Sequence, residues 1–369
     1  VRVPRQRRTP PVIALVWTSA CALGCEPGSR PIDLSPARWP AGEVERYIEL
    51  TNGANPHPQG EGQHGIVAGL QNALAVRAGL ETLKQGGNAV DAALVTALAQ
   101  ITVQTGGGMS FAGRLQGLYY GAATGEVHSL NAGYHTVRAD SNAATIPPLD
   151  VPSGRAALVP GFMAGVAALH QRFGTIPWAK LFEPAIHFAE HGVPMRPGIA
   201  RTLALRRDAL FHWPETKAVF TRADGELYAA GDLFRQPALA QTLGAVAAQG
   251  AEYMYRGAWA QELVAALGRA GGLMTLDDLS GYEATWTEPL RTTYRGYEVV
   301  STGAPSLGGM RTLEALNLAE AAELASLPHY TKSAEALARL IRISRAGELL
   351  GGPADWKSDA LRQLFPGVE

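Results

Sequence analysis

Residues 86–103 read GGNAVDAALVTALAQITV, and from Ala89 to Val103 the run is apolar on nearly every side of a helix. A helix of that kind must be buried all round, which a chain of mostly exposed elements cannot provide. Asn88 and Asp91, three residues apart, form a capping-box pair at its start. Asp91 then reads as a structural carboxylate held by backbone N–H groups and the helix dipole. The preceding stretch, 68–86, is an amphipathic helix on the spacing of Ala73, Val76, Leu80 and Leu83, stopped by Gly86-Gly87. With 46% apolar and 18% charged residues the chain has enough apolar material for a sizeable core.

The elements that follow alternate in type. TGGGMSFAG (105–113) turns the chain out of the helix; it has neither G-K-[ST] nor G-x-G-x-x-G, so a phosphate loop is not indicated. Residues 114–121 and 126–131 read as paired strands joined across 122–125. Two helical segments lie within 159–192. Gly174 and Gly192 stop them, and Pro177 and Pro184 imply a break near Glu183. Residues 194–235 read as irregular. Helices resume at 237–249 and 258–269, and TLDDLSGY (275–282) is a single turn capped by Thr275 toward Asp278. Residues 284–302 read as two extended strands with a bend at Pro289, 303–309 as a loop, and 310–325 and 332–350 as helices.

The N-terminus has a different character. Arg2, Arg5, Arg7 and Arg8 precede a short apolar stretch that ends at Ala22-Leu23-Gly24-Cys25. This is the pattern of a signal or lipoprotein-type targeting segment, with Cys25 as the lipid acceptor. Residues 1–25 are therefore expected to direct export, to the periplasm or to a membrane-anchored lipoprotein. Residues 26–60, polar and rich in Pro and Gly, read as a linker, and 61–369 as the folded domain. Both cysteines, Cys21 and Cys25, lie in the targeting segment, so no disulfide framework or cysteine metal cluster is expected in the body. The formal net charge of −1 gives no reason to expect a nucleic-acid partner.

Chemistry is harder to read. There is no G-x-S-x-G elbow. Ser306 in P-S-L-G-G suits a loop. His187 and His191 stand at i and i+4 with Glu190 between them, but no third ligand suggests a metal. The candidate ligand-holding stretch is SLNAGYHT (129–136). It places Asn131, Tyr134 and His135 around Gly133 at the close of the hairpin, although Asn and Gly also favour a plain turn.

Seven stretches taken in order resemble the γ-glutamyltranspeptidases (γ-glutamyltransferase, glutathione hydrolase): GGNAVDAA, GGGMSFAG, ALVPGFMAGVAALHQRFGTIPWAKLFEPAIHFAEHG, LAQTLGAVAAQGAEYMYRG, GGLMTLDDLSGY, PLRTTYRGYEVV and APSLGGM. The resemblance implies an α+β fold, the αββα sandwich of N-terminal-nucleophile hydrolases, in which two packed sheets lie between helices. It implies a precursor that cuts itself to expose a threonine whose own α-amine, titrating near pH 8, acts as base. Residues up to Glu369 then correspond to the large subunit less its final stretch. No catalytic residue is expected in this chain, and a small subunit carrying an N-terminal Thr is the expected partner. No cofactor and no metal are implied; the substrate is a small γ-glutamyl or related amide. The alternative is a catalytically inactive large-subunit-like binding or structural protein, or a gene fragment. The family's typical stretch after the second strand is L-D-F-R-E-T-A-P, whose arginine grips the substrate α-carboxylate. Aligned on Leu130-Asn131, that place holds Gly133. The expectation is a substrate that lacks a glutamyl α-carboxylate or is held weakly.

Overall fold

The computed structural model of the chain describes residues 31–52, 65–69, 72–104, 106, 108–148 and 151–349. The targeting segment 1–25 with Cys25 lies outside them. Part of the expected linker is folded: a 3-10 turn at Pro36–Arg38 and helix α1 (Glu43–Asn52) pack onto the body. Two anchors hold it there. Leu34 and Trp39 are buried, and the Arg77 guanidinium lies 4.5 Å over the Trp39 ring while bridging Glu43 and Glu81 at 2.7 Å each. Single aromatic and aliphatic anchors set among Pro and Gly leave no period to read, which is why the segment looked unstructured.

Helix α2 (Ala73–Lys84) is capped by Asn72, whose side chain accepts from Leu74 N at 2.9 Å, and it runs against α3 (Ala89–Val103). The capping box on α3 is present: Asn88 Oδ1 accepts from Val90 N and Asp91 N, and Asp91 accepts from Asn88 N at 2.9 Å. Asp91 also ties down the chain just past residue 173, accepting from Thr175 N at 3.0 Å and Thr175 Oγ1 at 2.5 Å. The expectation of all-round burial needs correcting. Ala89 and Ala93 are exposed, and Ala97 and Gln100 only half-buried, a single stripe along one face. Among the described residues nothing covers that stripe.

Strands β1 (Leu115–Gly121) and β2 (Glu126–Ala132) pair antiparallel as expected, with Leu115 opposite Ala132 and Gly121 opposite Glu126. Helix α4 (Phe162–Phe173) lies on one face of this sheet, and Leu130 and Ala132 point into that contact fully buried. Beyond it a 3-10 turn, Trp178–Phe182, leads into α5 (Glu183–His191), so the break falls where the prolines put it.

Residues 194–235, expected to be irregular, are helical over half their length. Between the short strands β3 (Val193–Pro194) and β4 (Leu233–Phe234) lie α6 (Pro197–Leu205), α7 (Arg207–Phe211) and α8 (Pro214–Phe220). These helices are five to nine residues long and have no side-chain caps. Tertiary packing of Met195, Ile199, Leu203, Phe220 and Phe234 into a small cluster holds them. Helices so short rely on packing rather than propensity, so their periodic signal is weak.

Helices α9 (Pro237–Gln249), α10 (Glu252–Tyr255), α11 (Ala258–Arg269) and α12 (Leu276–Ser280) follow. The two strands expected in 284–302 are three. β5 (Thr285–Thr287) joins the edge of β2, Glu288-Pro289 breaks the run, and β6 (Leu290–Tyr294) turns back as β7 (Tyr297–Ser301). The 303–309 loop is shorter than expected, since α13 (Leu307–Ala321) starts at once, with Ser306 as its N-cap. Helix α14 (Ala334–Leu349) packs on α13.

Among the described residues the helix that packs along the sheet β1-β2-β5 is α4, on one face, while the other face meets only the 303–306 turn at Ser129 and Gln116. On the other face Leu118 and Tyr120 are 43% and 60% exposed, and the outer edge of β1 has no partner among the described residues. An open sheet face carrying exposed apolar side chains is suited to packing against a second sheet.

At α12, Asp278 accepts from Thr275 N at 2.9 Å, Thr275 Oγ1 at 2.8 Å and Arg138 N at 3.2 Å. Burial alone would raise its pKa, but those bonds and the Arg138 charge outweigh burial and hold the carboxyl below its ordinary value. A folded pKa below the unfolded one stabilises at pH above the unfolded value and loses that contribution as pH falls through the folded value. Asp278→Asn should therefore melt lower than the parent by a constant margin from pH 7 to about 5. That margin should narrow once pH drops below about 4, the ordinary carboxylate range. Melting curves against pH give the answer, and a margin independent of pH would refute the ionic role.

Candidate functional site

The end of β2 is where the bare sheet face meets the helical layer. Strand alternation puts Ser129 and Asn131 on the bare face with Gln116, Leu118 and Tyr120 of β1. Gln116 and Asn131 face each other across the ladder, and Gln116 Nε2 donates to Asn131 Oδ1 at 3.3 Å. Ser306 Oγ donates to Gln116 Oε1 at 3.1 Å and accepts from Thr302 Oγ1 at 2.8 Å. Ser129 Oγ lies 3.0 Å from Thr287 Oγ1 and accepts from Gly303 N at 3.0 Å. Two residues read separately in the sequence, Asn131 and Ser306, are thus joined through Gln116. Ser306 acts as helix cap and relay member, and among the described residues its side-chain partners are Thr302 and Gln116, neither of them a base.

Past the strand the chain is clamped by its backbone. His135 exchanges two bonds with Val159, N to O at 3.1 and 2.9 Å. Tyr282 Oη donates to Gly133 O at 2.6 Å, and burial pushes its phenol up to about 12, so it remains a donor through the neutral range. Tyr255, stacked on Tyr282 at 5.7 Å, donates to Pro160 O at 3.0 Å and accepts from Ala164 N at 3.1 Å. Burial pushes the Tyr255 phenol up against the pull of the Ala164 bond, with Tyr282 and Glu252 adding to the rise. The two tyrosines fix the start of α4 to the end of β2.

A cavity of about 880 Å³ opens beside this clamp. One wall is the exposed stripe of α3, Ala89, Ala93, Ala97 and Gln100; the others come from 65–68, 108–110, Phe162 and Tyr134. Among the described side chains lining it, Arg114 alone carries a charge. A cavity of this size with small walls and few polar groups suits a small organic ligand.

The three residues singled out in the sequence divide here. Tyr134, 43% exposed, lines the cavity. Asn131 turns to Gln116 instead, and the His135 ring lies 4.5 Å from that of Tyr282, so neither lines it. Sequence reasoning passed over Arg114 and Tyr282. Alternation from Gln116 could have placed Arg114 on the bare face, but only tertiary packing brings Tyr282 to Gly133. His187 and His191 stack at 4.2 Å, and no group of three metal-binding side chains occurs among the described residues. Burial, then the neighbouring His191, hold the His187 imidazole below its ordinary pKa against the opposing pull of Glu190.

Comparison with known proteins follows the same lines. The family model described as gamma-glutamyltranspeptidase matches residues 75–352. The glutathione hydrolase proenzyme of Pseudomonas aeruginosa is 33% identical over 247 residues, 65% of this chain and 43% of that protein. The acylase ACY 1 proenzyme of Pseudomonas sp. (strain SE83) is 29% identical over 319 residues, 82% of this chain and 56% of that one. The crystal structure of Helicobacter pylori gamma-glutamyltranspeptidase superposes with a TM-score of 0.75 at 26% identity, covering 84% of this chain and 95% of that chain. The chain spans 42–45% of the length of the first curated relatives it matches.

Proposed function

Because the chain belongs to the γ-glutamyltranspeptidase family, we propose that it is the large-subunit part of an enzyme that hydrolyses or transfers γ-glutamyl or related acyl groups, such as that of glutathione. Its fold is α+β and matches the αββα sandwich of N-terminal-nucleophile hydrolases in γ-glutamyltranspeptidase structures. The nucleophile in this reading is a threonine at the start of a small subunit that completes the sheet. What supports it is the bare face of β1 and β2, which runs into the cavity beside Tyr134. A second sheet laid on that face would bring its first residue to the cavity mouth.

The chemistry then needs little from this chain beyond holding the acyl group. The threonine hydroxyl attacks the amide carbon while the α-amine takes its proton and later passes it to the leaving nitrogen. Water or an acceptor amine then releases the acyl group from the ester. Tyr134 forms part of the acyl pocket. Asn131, tied to Gln116, presents a fixed amide dipole on the adjoining sheet face, and His135 packs on the Tyr282 ring that secures Gly133. The enzyme works outside the cytoplasm, exported by residues 1–25, with Cys25 as the lipid acceptor. Among the described residues no helix is long and apolar enough to cross a membrane.

The test is co-production of the chain with and without a small subunit beginning in threonine, assayed with γ-glutamyl-p-nitroanilide and glutaryl-p-nitroanilide. Release of p-nitroaniline is expected only with both parts present. Turnover by the chain alone would overturn the division of labour. No turnover of either amide by the assembled pair would favour the catalytically inactive, large-subunit-like alternative.

A further inference from the structure

We propose that Arg114 binds the carboxylate of the ligand in this cavity, from the strand opposite the position where the sequence has glycine. The β1–β2 register pairs Leu115 with Ala132. Extended by one residue, it sets Arg114 opposite Gly133, on the same face as the Gln116–Asn131 pair. Directly opposed residues on one face of an antiparallel pair have Cβ atoms about 5 Å apart. A guanidinium carried by Arg114 therefore serves much the same space as one carried by residue 133 would.

Three observations point the same way. Arg114 is exposed and, among the described residues, is the one charged side chain lining the cavity. Among the described residues no carboxylate pairs with it, whereas Arg77, Arg155 and Arg222 are each engaged by acids. At Gly133, on the opposing position, the three atoms nearest a built Cβ all belong to the Asn131 side chain, the closest at 3.1 Å, so a side chain there needs only that amide to give way by a few tenths of an ångström. An unengaged guanidinium facing a neutral, partly apolar space is suited to a planar carboxylate, which it can grip through two parallel hydrogen bonds. The ligand class is an acyl group ending in a carboxylate, a dicarboxylic acid joined through one end as an amide. The expectation that the substrate lacks such a group, or holds it weakly, then gives way: the grip has moved one strand over.

This inference rests on the cavity being the acyl site of the proposed reaction, but its test reads binding alone. The probes are glutarate and its neutral diamide, titrated by calorimetry against the natively purified protein with whatever subunit accompanies it. The parent should prefer glutarate by about tenfold or more. Arg114→Gln should erase the preference, Arg114→Lys should keep part of it, and adding Gly133→Arg to Arg114→Gln should restore it. Arg114 is exposed, so each variant should melt with the parent. A parent without the preference, an Arg114→Gln protein that retains it, or a double variant that fails to recover it would overturn the assignment. Failure to turn over any amide would count against the proposed function and leave this result standing.

Discussion

Asp91→Ala is expected to lower the unfolding free energy by about 3–5 kcal/mol, the range for breaking a buried, charged hydrogen-bond network. The carboxylate is fully buried and accepts from Asn88 N at 2.9 Å, Thr175 N at 3.0 Å and Thr175 Oγ1 at 2.5 Å. Alanine leaves those donors without their acceptor at a site where the carboxylate is buried although Thr175, at its rim, is exposed. It also removes a negative charge from the positive end of α3, worth up to about 1 kcal/mol more. Two elements loosen together, because the same carboxylate that caps α3 ties the turn after α4 to it, and α4 carries the sheet. Asp91→Asn keeps one acceptor oxygen and should cost about half as much. Chemical denaturation of the three proteins checks this. A loss under about 1 kcal/mol for alanine would mean that neighbouring groups or water take over all three bonds.

Asp91 also shows how much the sequence discloses. Its spacing from Asn88 gave the cap, since a capping box is a local device written within four residues. Its bond to Thr175, 84 residues away, is written nowhere locally. The same division runs through the molecule. The β1–β2 hairpin, α9, α11 and the Thr275–Asp278 turn were legible because each is long, periodic or closed by its own cap. Helices α6, α7 and α8 were not, because they are short, uncapped and held by one shared cluster around Phe220 and Phe234. Residues 33–52 were missed for a related reason: Leu34 and Trp39 anchor them singly rather than periodically. The half-exposed face of α3 is the reverse case. Its composition led to an expectation of burial all round, whereas the Ala89–Gln100 stripe is open among the described residues. At the cavity, the place of Tyr134 beside a turn glycine was legible, though not that its side chain lines the wall. Arg114 was not, because its meaning depends on which residue stands across the ladder and on the absence of an acid nearby.

Gly161→Ala should be the most damaging single methyl group in this region. A Cβ at Gly161 would collide with Tyr282 Oη and with the carbonyl oxygens of Ala132 and Gly133. A hydroxyl at the end of a side chain can swing aside, but two backbone carbonyls at the close of a paired strand cannot move without dragging the strand with them. Gly161 is further pinned by its own N–H, which donates to Gly113 O at 2.9 Å, beside Phe162 N donating to the same oxygen. The chain must therefore shift at residues 132–134, where Tyr134 lines the cavity and where Arg114 stands opposite. Overpacking of this kind costs about 3 kcal/mol. A displacement of about 1 Å in a positioning segment costs about a hundredfold in kcat/KM, so under the proposed function amide turnover by the chain with its small subunit should fall by at least that. Tyr282→Phe separates the two obstacles. Alone it removes the bond to Gly133 O and should cost about 1 kcal/mol. Combined with Gly161→Ala it removes the hydroxyl clash but leaves both carbonyls in place, so the double variant should stay close to Gly161→Ala in stability and in rate. Recovery of the double variant to the level of Tyr282→Phe would show that the phenol alone enforces glycine at 161, and that the end of β2 yields more readily than its paired and clamped backbone implies.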